Sequence, residues 1–183
     1  MAAHRAFVAG PWPGLTATAR GKLLYKLADL VQDAAPRLAA LETRDTGKII
    51  RETSAQIAYV AEYFRYYAGL ADKIEGAHLP IDKPDMEVWL RREPVGVVAA
   101  IVPWNFPFLL AMWKIAPALL AGNTMVLKPS PFTPLCALKL GELARDILPA
   151  GVFNVIAGQD ALGPLMTAHP GFAKISVSPI QAR

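Results

Sequence analysis

The chain has 183 residues, a formal net charge of +4 and 54% hydrophobic residues, and only 19% of its residues are charged. This apolar share is high for a free-standing domain and indicates burial against further protein. The basic residues are scattered rather than clustered with aromatics, which argues against a nucleic-acid partner. No apolar run reaches the ~18 residues of a membrane span, no secretory signal is evident, and one cysteine excludes an internal disulfide. We therefore expect a cytoplasmic protein with no membrane or nucleic-acid partner.

Residues 1–85 are predicted to form a helical segment that packs on the rest of the chain. The first helix follows Thr16, a suitable N-cap, and the second runs from about Pro36 to Gly47. A third helix ends before a loop at residues 76–80. Apolar residues three and four positions apart predict one buried face on each helix. They are Leu23, Leu24, Leu27, Leu30, Val31, Leu38, Leu41, Ile57, Val60, Phe64 and Tyr67.

Residues 86–92, within the segment 86–94, change to a period of two. Met86, Val88 and Leu90 alternate with polar and aromatic residues, and Pro94 follows them. This alternation predicts a half-exposed strand that stands between the helical segment and the remainder of the chain.

Residues 95–183 repeat a strand–helix unit. Apolar strands are predicted at 95–102, 124–128, 152–157 and 173–177, with helices at 112–120, 133–147 and 160–166. Thr133, followed by a proline, is the expected N-cap of the second of these helices. Strands that are apolar throughout and alternate with helices indicate a parallel sheet covered on both faces. The predicted fold class is α/β, with N-terminal helices followed by a partial, Rossmann-like parallel sheet of the order βαβαβαβ.

Three loops are expected at the carboxyl ends of these strands, where open parallel sheets bind ligands. They are residues 103–107, 128–132 and 158–160. Asn105, held between prolines, is either a fixed amide that stabilises a developing oxyanion or a turn residue bonded to its own backbone. Lys128 either reaches solvent or offers a cation to a ribose or phosphate. Gly158 makes a tight turn or brings backbone close to a ligand.

Two residue types that often carry chemistry are assigned structural roles. Cys136 lies within a helix among apolar neighbours, so we expect a small buried hydrophobe rather than a reactive thiol. His4, His78 and His169 lack the spacing of metal ligands, and no metal site is predicted.

Eight short segments, taken together, resemble the N-terminal portion of the aldehyde dehydrogenase superfamily. Among them are the run Pro103-Trp104-Asn105-Phe106-Pro107 and the run Lys128-Pro129-Ser130. The resemblance extends from about residue 7 to residue 175 and follows the order and spacing of the family. The eight segments are residues 42–48, 64–69, 92–97, 103–107, 114–119, 121–123, 128–130 and 149–154.

The resemblance implies a chemistry and a set of site residues. Members of the family oxidise an aldehyde to a carboxylic acid with NAD or NADP, through a cysteine nucleophile and a glutamate base. By position, Asn105 matches the amide that holds the substrate oxyanion, and Lys128 matches the lysine that bonds the adenosine ribose. The resemblance further implies a partial NAD(P)-binding domain at residues 95–183 and an oligomerisation strand at 86–94, with a homo-oligomer for full-length members. The implied cofactor-binding residues are Val102, Pro103, Trp104, Asn105, Lys128, Ser130, Pro131 and Gly158.

The sequence departs from the family pattern in three places. Pro131 stands where many NAD-preferring members have a glutamate, so the cofactor is written as NAD or NADP. The resemblance is lost from Val177 onward, which suggests a frameshifted or truncated reading frame, testable in the nucleotides downstream of Ser176. The family's nucleophile and base would lie beyond Arg183, and Cys136 does not match the nucleophile.

These departures leave three functional hypotheses. The first is an aldehyde dehydrogenase fragment truncated before its catalytic cysteine, which alone shows no turnover. The second is a non-catalytic cofactor-binding or interaction module. The third is a non-functional product whose unpaired sheet edge promotes aggregation.

Overall fold

A computed structural model describes residues 2–178 of the chain. The divergent tail was expected from Val177 onward, and its part after residue 178 lies outside the described residues. The N-terminal part is helical, as predicted, and none of the helices within residues 2–178 is long and apolar enough to cross a membrane. Its elements are α1 (Ala2–Val8), a 3-10 turn (Trp12–Gly14), α2 (Ala17–Asp33), α3 (Ala35–Thr46) and α4 (Ile50–Gly69).

The ends of α2 and α3 follow the local signals in the sequence. The Thr16 Oγ1 atom accepts a hydrogen bond from the Ala19 backbone N–H at 3.1 Å and so caps α2. Gly47 ends α3 in the left-handed region, with φ 78° and its N–H bonded to the Thr43 carbonyl. Helix α1 was not predicted, because seven residues with two buried alanines show no clear periodicity.

Two short strands form an exposed arm after the helices. β1 (Ala77–Leu79) pairs antiparallel with β2 (Val88–Leu90). The ring centroids of His78 and Trp89 lie 4.5 Å apart across the two strands. The predicted strand at 86–92 is therefore present, but the prediction of a loop at 76–80 was wrong. A strand of three exposed residues carries no periodic signal, and only its pairing with β2 defines it.

The remaining elements form the predicted parallel sheet. Its four strands lie in the order β5-β4-β3-β6, all parallel, so the chain leaves β3 toward one side and returns to its other side. Lys114 on α5 donates to the Ser176 hydroxyl at 2.9 Å and ties β6 to the helical layer. The elements are β3 (Val97–Ile101), α5 (Pro107–Leu120), β4 (Thr124–Lys128), α6 (Leu135–Ala144), β5 (Phe153–Val155), α7 (Leu162–Thr167) and β6 (Lys174–Val177).

Two helix starts differ from the predictions. Helix α5 begins at Pro107 rather than near residue 112, because proline suits the first turn and the apolar face continues from Phe108. Thr133 does not cap α6. Its hydroxyl donates instead to the Trp104 carbonyl at 3.3 Å, and Asp45 of α3 accepts the Leu135 N–H at 2.9 Å. A side chain distant in sequence has replaced the local cap.

The core lies between the sheet and the helices. Val98, Ala100 and Leu127 face α5 and the outer helices α2 and α4 in one buried cluster. Val97 and Val126 face the other way, toward α1 and the segment before β6. This alternation follows from the period of two in a strand, with both faces covered.

Trp12 joins the N-terminal segment to the sheet and provides a stability prediction. Its ring is fully buried, and its indole N–H donates to the Gly122 carbonyl at 2.9 Å and the Asn123 carbonyl at 3.1 Å. Trp12→Phe keeps an aromatic ring but leaves both carbonyls without this donor. We expect the free energy of unfolding, measured in urea, to fall by about 1–3 kcal/mol.

A matched variant separates this loss from the removal of any tryptophan. Trp89 is 67% exposed and donates to Glu87 in solvent. Trp89→Phe is expected to change the unfolding free energy by less than about 0.5 kcal/mol. Equal losses in the two variants would contradict the role assigned to Trp12.

Candidate functional site

A cleft of about 460 Å³ opens at the carboxyl ends of β3, β4 and β6. It stands where the chain leaves β3 in one direction and returns to it from the other, the usual position of a ligand site in an open parallel sheet. Six of the predicted cofactor residues line it, together with five others. The lining residues are Ile101, Val102, Pro103, Trp104, Lys128, Ser130, Pro131, Phe132, Asp160, Val177 and Ser178.

Lys128 is a buried cation on the wall of this cleft. It pairs with Ile101 in the sheet register, and its carbonyl accepts the Val102 N–H at 3.2 Å. The residue is only 3% exposed. Within residues 2–178 its ammonium makes one hydrogen bond, to the Pro129 carbonyl at 3.3 Å. An ammonium has three donors, so the cleft wall presents a cation with unused hydrogen-bonding capacity.

The loops after β3 and β4 are fastened to each other. The Thr133 hydroxyl bonds the Trp104 carbonyl across them, and the Ser130 hydroxyl accepts the Phe132 N–H at 3.3 Å. Trp104 keeps half of its surface exposed on the cleft wall. The two loops therefore form one surface, on which an aromatic ring and a buried cation lie together.

Asn105 lies next to the cleft but is not among its lining residues. Its Oδ1 atom accepts the Phe106 N–H at 3.0 Å, so the local turn bond considered from the sequence is present. That bond uses the oxygen of the amide and orients the group, which leaves Nδ2 as the donor end. The structural and the functional interpretations of this residue are thus compatible.

Gly158 does not line the cleft, whereas Asp160, two residues later, does. A Cβ atom at Gly158 would come within 2.7 Å of Leu162 Cδ2, so a close turn into α7 accounts for this glycine. The sequence indicated the loop at 158–160 but not which residue faces the ligand. Val177 and Ser178 were also missed, because only the pairing of β6 with β3 brings them to this edge.

Cys136 and Glu42 are buried together away from the cleft. The thiol is 1% exposed and its Sγ lies 3.5 Å from the Leu38 carbonyl. Burial, followed by the charge of Glu42, raises the pKa of Cys136, so it is the inert thiol expected from the sequence. Both carboxyl oxygens of Glu42 lack a hydrogen-bond partner within the described part of the chain. No group of three or more potential metal ligands occurs in residues 2–178.

Glu42 provides a prediction on pH. Burial raises the pKa of Glu42 above its ordinary value of 4.5, with the charge of Lys48 opposing this shift. The folded chain then keeps this proton to a higher pH than the unfolded chain. The stability linked to the protonated group is complete below about pH 4.5 and is lost as the pH rises through the raised pKa.

Glu42→Gln removes this titration and keeps the shape of the side chain. Urea unfolding at pH 4.5 and pH 8 should show the parent chain losing stability relative to the variant at the higher pH. A constant difference between the two chains across that range would show that the carboxyl group does not titrate as its burial requires.

A cleft at the switch point of an open parallel sheet is the position at which α/β proteins that use nucleotide cofactors bind them. The family is shown by sequence: residues 1–178 match the Aldehyde dehydrogenase family, and the chain belongs to it. The match starts before residue 7 and ends just past Val177, where the resemblance was expected to fail.

Individual relatives agree with this assignment. The chain is 63% identical over 177 residues to the (Z)-2-((N-methylformamido)methylene)-5-hydroxybutyrolactone dehydrogenase of Acinetobacter baylyi, covering 96% of this chain and 36% of the relative. An NAD-dependent aldehyde dehydrogenase from Sinorhizobium meliloti superposes with a TM-score of 0.92 at 39% identity, again over 96% and 36% of the two chains. A betaine aldehyde dehydrogenase variant from Staphylococcus aureus, solved with NAD+, gives 0.92 at 43% over the same shares. The chain thus spans about a third of the length of these relatives.

Proposed function

We propose that this chain supplies one wall of the NAD site and the oxyanion amide of an NAD-dependent aldehyde dehydrogenase. The observation that carries the proposal is Lys128, an almost fully buried ammonium on the wall of the cleft with donors to spare. A buried cation without a matching anion is costly, so its position on the cleft wall favours a role in binding a ligand. The vicinal hydroxyls of a ribose would accept its free donors.

The residues around Lys128 fit NAD. The Val102, Pro103 and Trp104 wall is apolar and suits the flat rings of a dinucleotide, and Ser130 adds a hydroxyl on the same side. Pro131 carries no carboxylate, but Asp160 places one on the same cleft. A negative charge there disfavours the extra phosphate of NADP. We therefore propose NAD as the preferred cofactor of this Rossmann-like domain, in agreement with the relatives described as NAD-dependent or solved with NAD+.

The reaction proposed for the whole protein is oxidation of an aldehyde to a carboxylic acid, in which water contributes the second oxygen atom of the acid. NAD supplies the hydride acceptor. Asn105 Nδ2 donates to the oxygen of the aldehyde carbon when a nucleophile attacks it, and stabilises the negative charge that develops there. Cys136 does not serve as that nucleophile, because it is buried on α6 and its pKa is raised. The thiolate and the base come from the part of the relatives that this chain does not span.

The exposed arm fits a role in assembly. Residues 77–79 and 88–90 are mostly exposed, Trp89 to 67%. An aromatic strand pair standing in solvent is a suitable edge for a second copy. We propose a homo-oligomer built through residues 86–94, with residues 1–85 and 95–183 forming the helical and cofactor-binding parts. A single buried thiol suits a reducing compartment, and we place the protein in the cytoplasm.

Titration of the chain with NADH and with NADPH tests the cofactor proposal. Energy transfer from tryptophan to the reduced nicotinamide is the readout, and Trp104→Phe identifies the signal that comes from the cleft. We expect saturable transfer with NADH, a weaker response with NADPH, and a reduced signal in the Trp104 variant. Transfer that rises linearly without saturation would reject the cleft as a cofactor site in this chain.

A further inference from the structure

Residues 42–48, one of the segments on which the family resemblance rests, have no part in the cleft itself. This segment ends α3 and leads toward α4, yet it contacts the loop that follows β3 and the first residue of α6. Asp45 Oδ2 accepts the Leu135 N–H at the start of α6, just after the Lys128 loop. The Lys48 ammonium lies 3.8 Å from the centroid of the Phe106 ring, in the loop that carries Asn105. The segment therefore contacts the Asn105 loop and the start of α6 from outside the cleft.

The position of the Lys48 ammonium is set by α4. Its Nζ donates to Gln56 Oε1 at 2.9 Å, and Gln56 Nε2 donates in turn to Glu52 Oε1 at 2.9 Å. Glu52 and Gln56 are one turn apart on the helix, so their side chains meet on one face. Gly47 turns the chain before Lys48, and the Lys48 N–H bonds Thr46 Oγ1 at 3.3 Å. A lysine held in this way has lost the freedom that weakens most surface cations.

Phe106 stands immediately before α5, where its carbonyl accepts the Leu110 N–H at 3.0 Å and its ring receives the Lys48 contact. Its φ of −135° and ψ of 60° belong to neither helix nor strand, and no side chain caps α5 at this residue. Its backbone N–H is the donor that orients the Asn105 amide through Oδ1. An ammonium over an aromatic face is attracted by the ring quadrupole, whose face is electron-rich. Lys48 therefore contacts the ring of the same residue whose N–H orients the Asn105 side chain.

We propose that Lys48 is a positioning residue that aims the Asn105 amide through its cation–π contact with Phe106. Contacts run without a break from Glu52 through Gln56 and Lys48 to Phe106 and Asn105. Lys48 touches neither cofactor nor substrate in this arrangement. The catalytic meaning of the alignment rests on the oxyanion role proposed for Asn105, whereas the alignment itself is a property of the chain.

Amide hydrogen exchange of the whole 183-residue chain, without cofactor, tests the inference. The Phe106 N–H reports its bond to Asn105 directly, and amides in the core of α2 report global opening. Lys48→Met removes the charge and keeps the length of the side chain. It should accelerate exchange at Phe106 by about three- to thirty-fold, the range that a partly buried cation–π contact supports, with the α2 amides unchanged. Lys48→Arg keeps a cation over the ring and should stay within about twofold of the parent.

Two further variants make the result decisive. Lys139→Met removes a lysine from α6 that bonds Glu142 rather than the Phe106 ring, and should leave the Phe106 exchange rate unchanged. Gln56→Leu removes the hydrogen bond that holds the Lys48 ammonium and leaves Lys48 itself unchanged. This variant should also accelerate exchange at Phe106, and it is the test to use if Lys48→Met does not fold. The proposal is overturned if Lys48→Met leaves the Phe106 exchange rate unchanged, or if Gln56→Leu does so when it is used in place of Lys48→Met. It is also overturned if Lys48→Met and Lys48→Arg accelerate exchange at Phe106 equally.

Failure of this inference is distinguishable from failure of the proposed function. If Lys48→Met accelerates exchange at Phe106 but the chain shows no saturable NADH binding, the alignment of Asn105 by Lys48 stands and the cofactor proposal is rejected. A chain that binds NADH through the cleft, with Phe106 exchange unaffected by residue 48, keeps the cofactor proposal and loses the alignment.

Discussion

Asn105→Ala is expected to lower kcat by about 100- to 1000-fold in a complete enzyme that contains this chain. The enzyme for the test joins residues 2–175 of this chain to the remainder of the Acinetobacter baylyi relative, whose matched third is 63% identical. The loss arises because the amide donor acts only on the charge that develops in the transition state. The Michaelis constant for NAD should change little, because Asn105 does not line the cleft. Steady-state kinetics on the substrate of the relative measure both quantities.

Asn105→Asp distinguishes the role of the Nδ2 donor from that of the local turn bond to the Phe106 N–H. Aspartate still offers an oxygen to the Phe106 N–H, which Asn105 Oδ1 now accepts at 3.0 Å, but it has no amide donor and adds a negative charge. If the donor matters, kcat of this variant falls at least as far as that of Asn105→Ala. A variant close to the parent would mean that the residue only shapes the loop, and the oxyanion role would be withdrawn.

Lys128→Met is expected to weaken NADH binding by about 10- to 100-fold, the cost of removing a hydrogen bond from a charged donor. Methionine fills the same buried space beside Pro129 but cannot donate to a ribose hydroxyl. The titration of the isolated chain measures the effect, and thermal unfolding shows whether the fold is intact. Since the ammonium is almost fully buried with one hydrogen bond in the described residues, its removal should not lower the midpoint of unfolding.

A second lysine serves as the control for Lys128. Lys139 on α6 lies outside the cleft and bonds Glu142 at 2.6 Å, so Lys139→Met removes the same charge from the same chain. NADH affinity in this variant should equal that of the parent at physiological salt, where distant charges are screened. NADH affinity in Lys128→Met within twofold of the parent would exclude a direct contact between Lys128 and the cofactor.

Local signals in the sequence predicted much of the fold, and the predictions that were wrong have a common cause. Thr16 and Gly47 cap their helices through atoms a few residues away, so the sequence reveals both ends. Thr133 has the same local pattern, yet Asp45 caps α6 instead, because the packing of α3 brings its carboxylate to that helix. The strand at 77–79 was missed for the same reason, since its definition depends on a partner strand rather than on its own residues.

The candidate site shows the same division. Lys128 and the loops after β3 and β4 were predictable, because the carboxyl ends of parallel strands meet at one edge. Gly158 was chosen in place of Asp160, since only the turn into α7 decides which of the two faces the cleft. The contact between Lys48 and Phe106 had no signal in the sequence.

By itself, the sequence determined the family, the α/β class, the helical first part and the three loops that meet at the sheet edge. Periodicity, caps and apolar strands are local properties, and the spacing of eight short segments is a property of the chain alone. The tertiary structure alone decided that Lys128 is buried with unused donors, that Asp160 shares its cleft, and that α4 holds Lys48 against Phe106. These features depend on which distant elements pack together, and that packing follows from burial of the whole core.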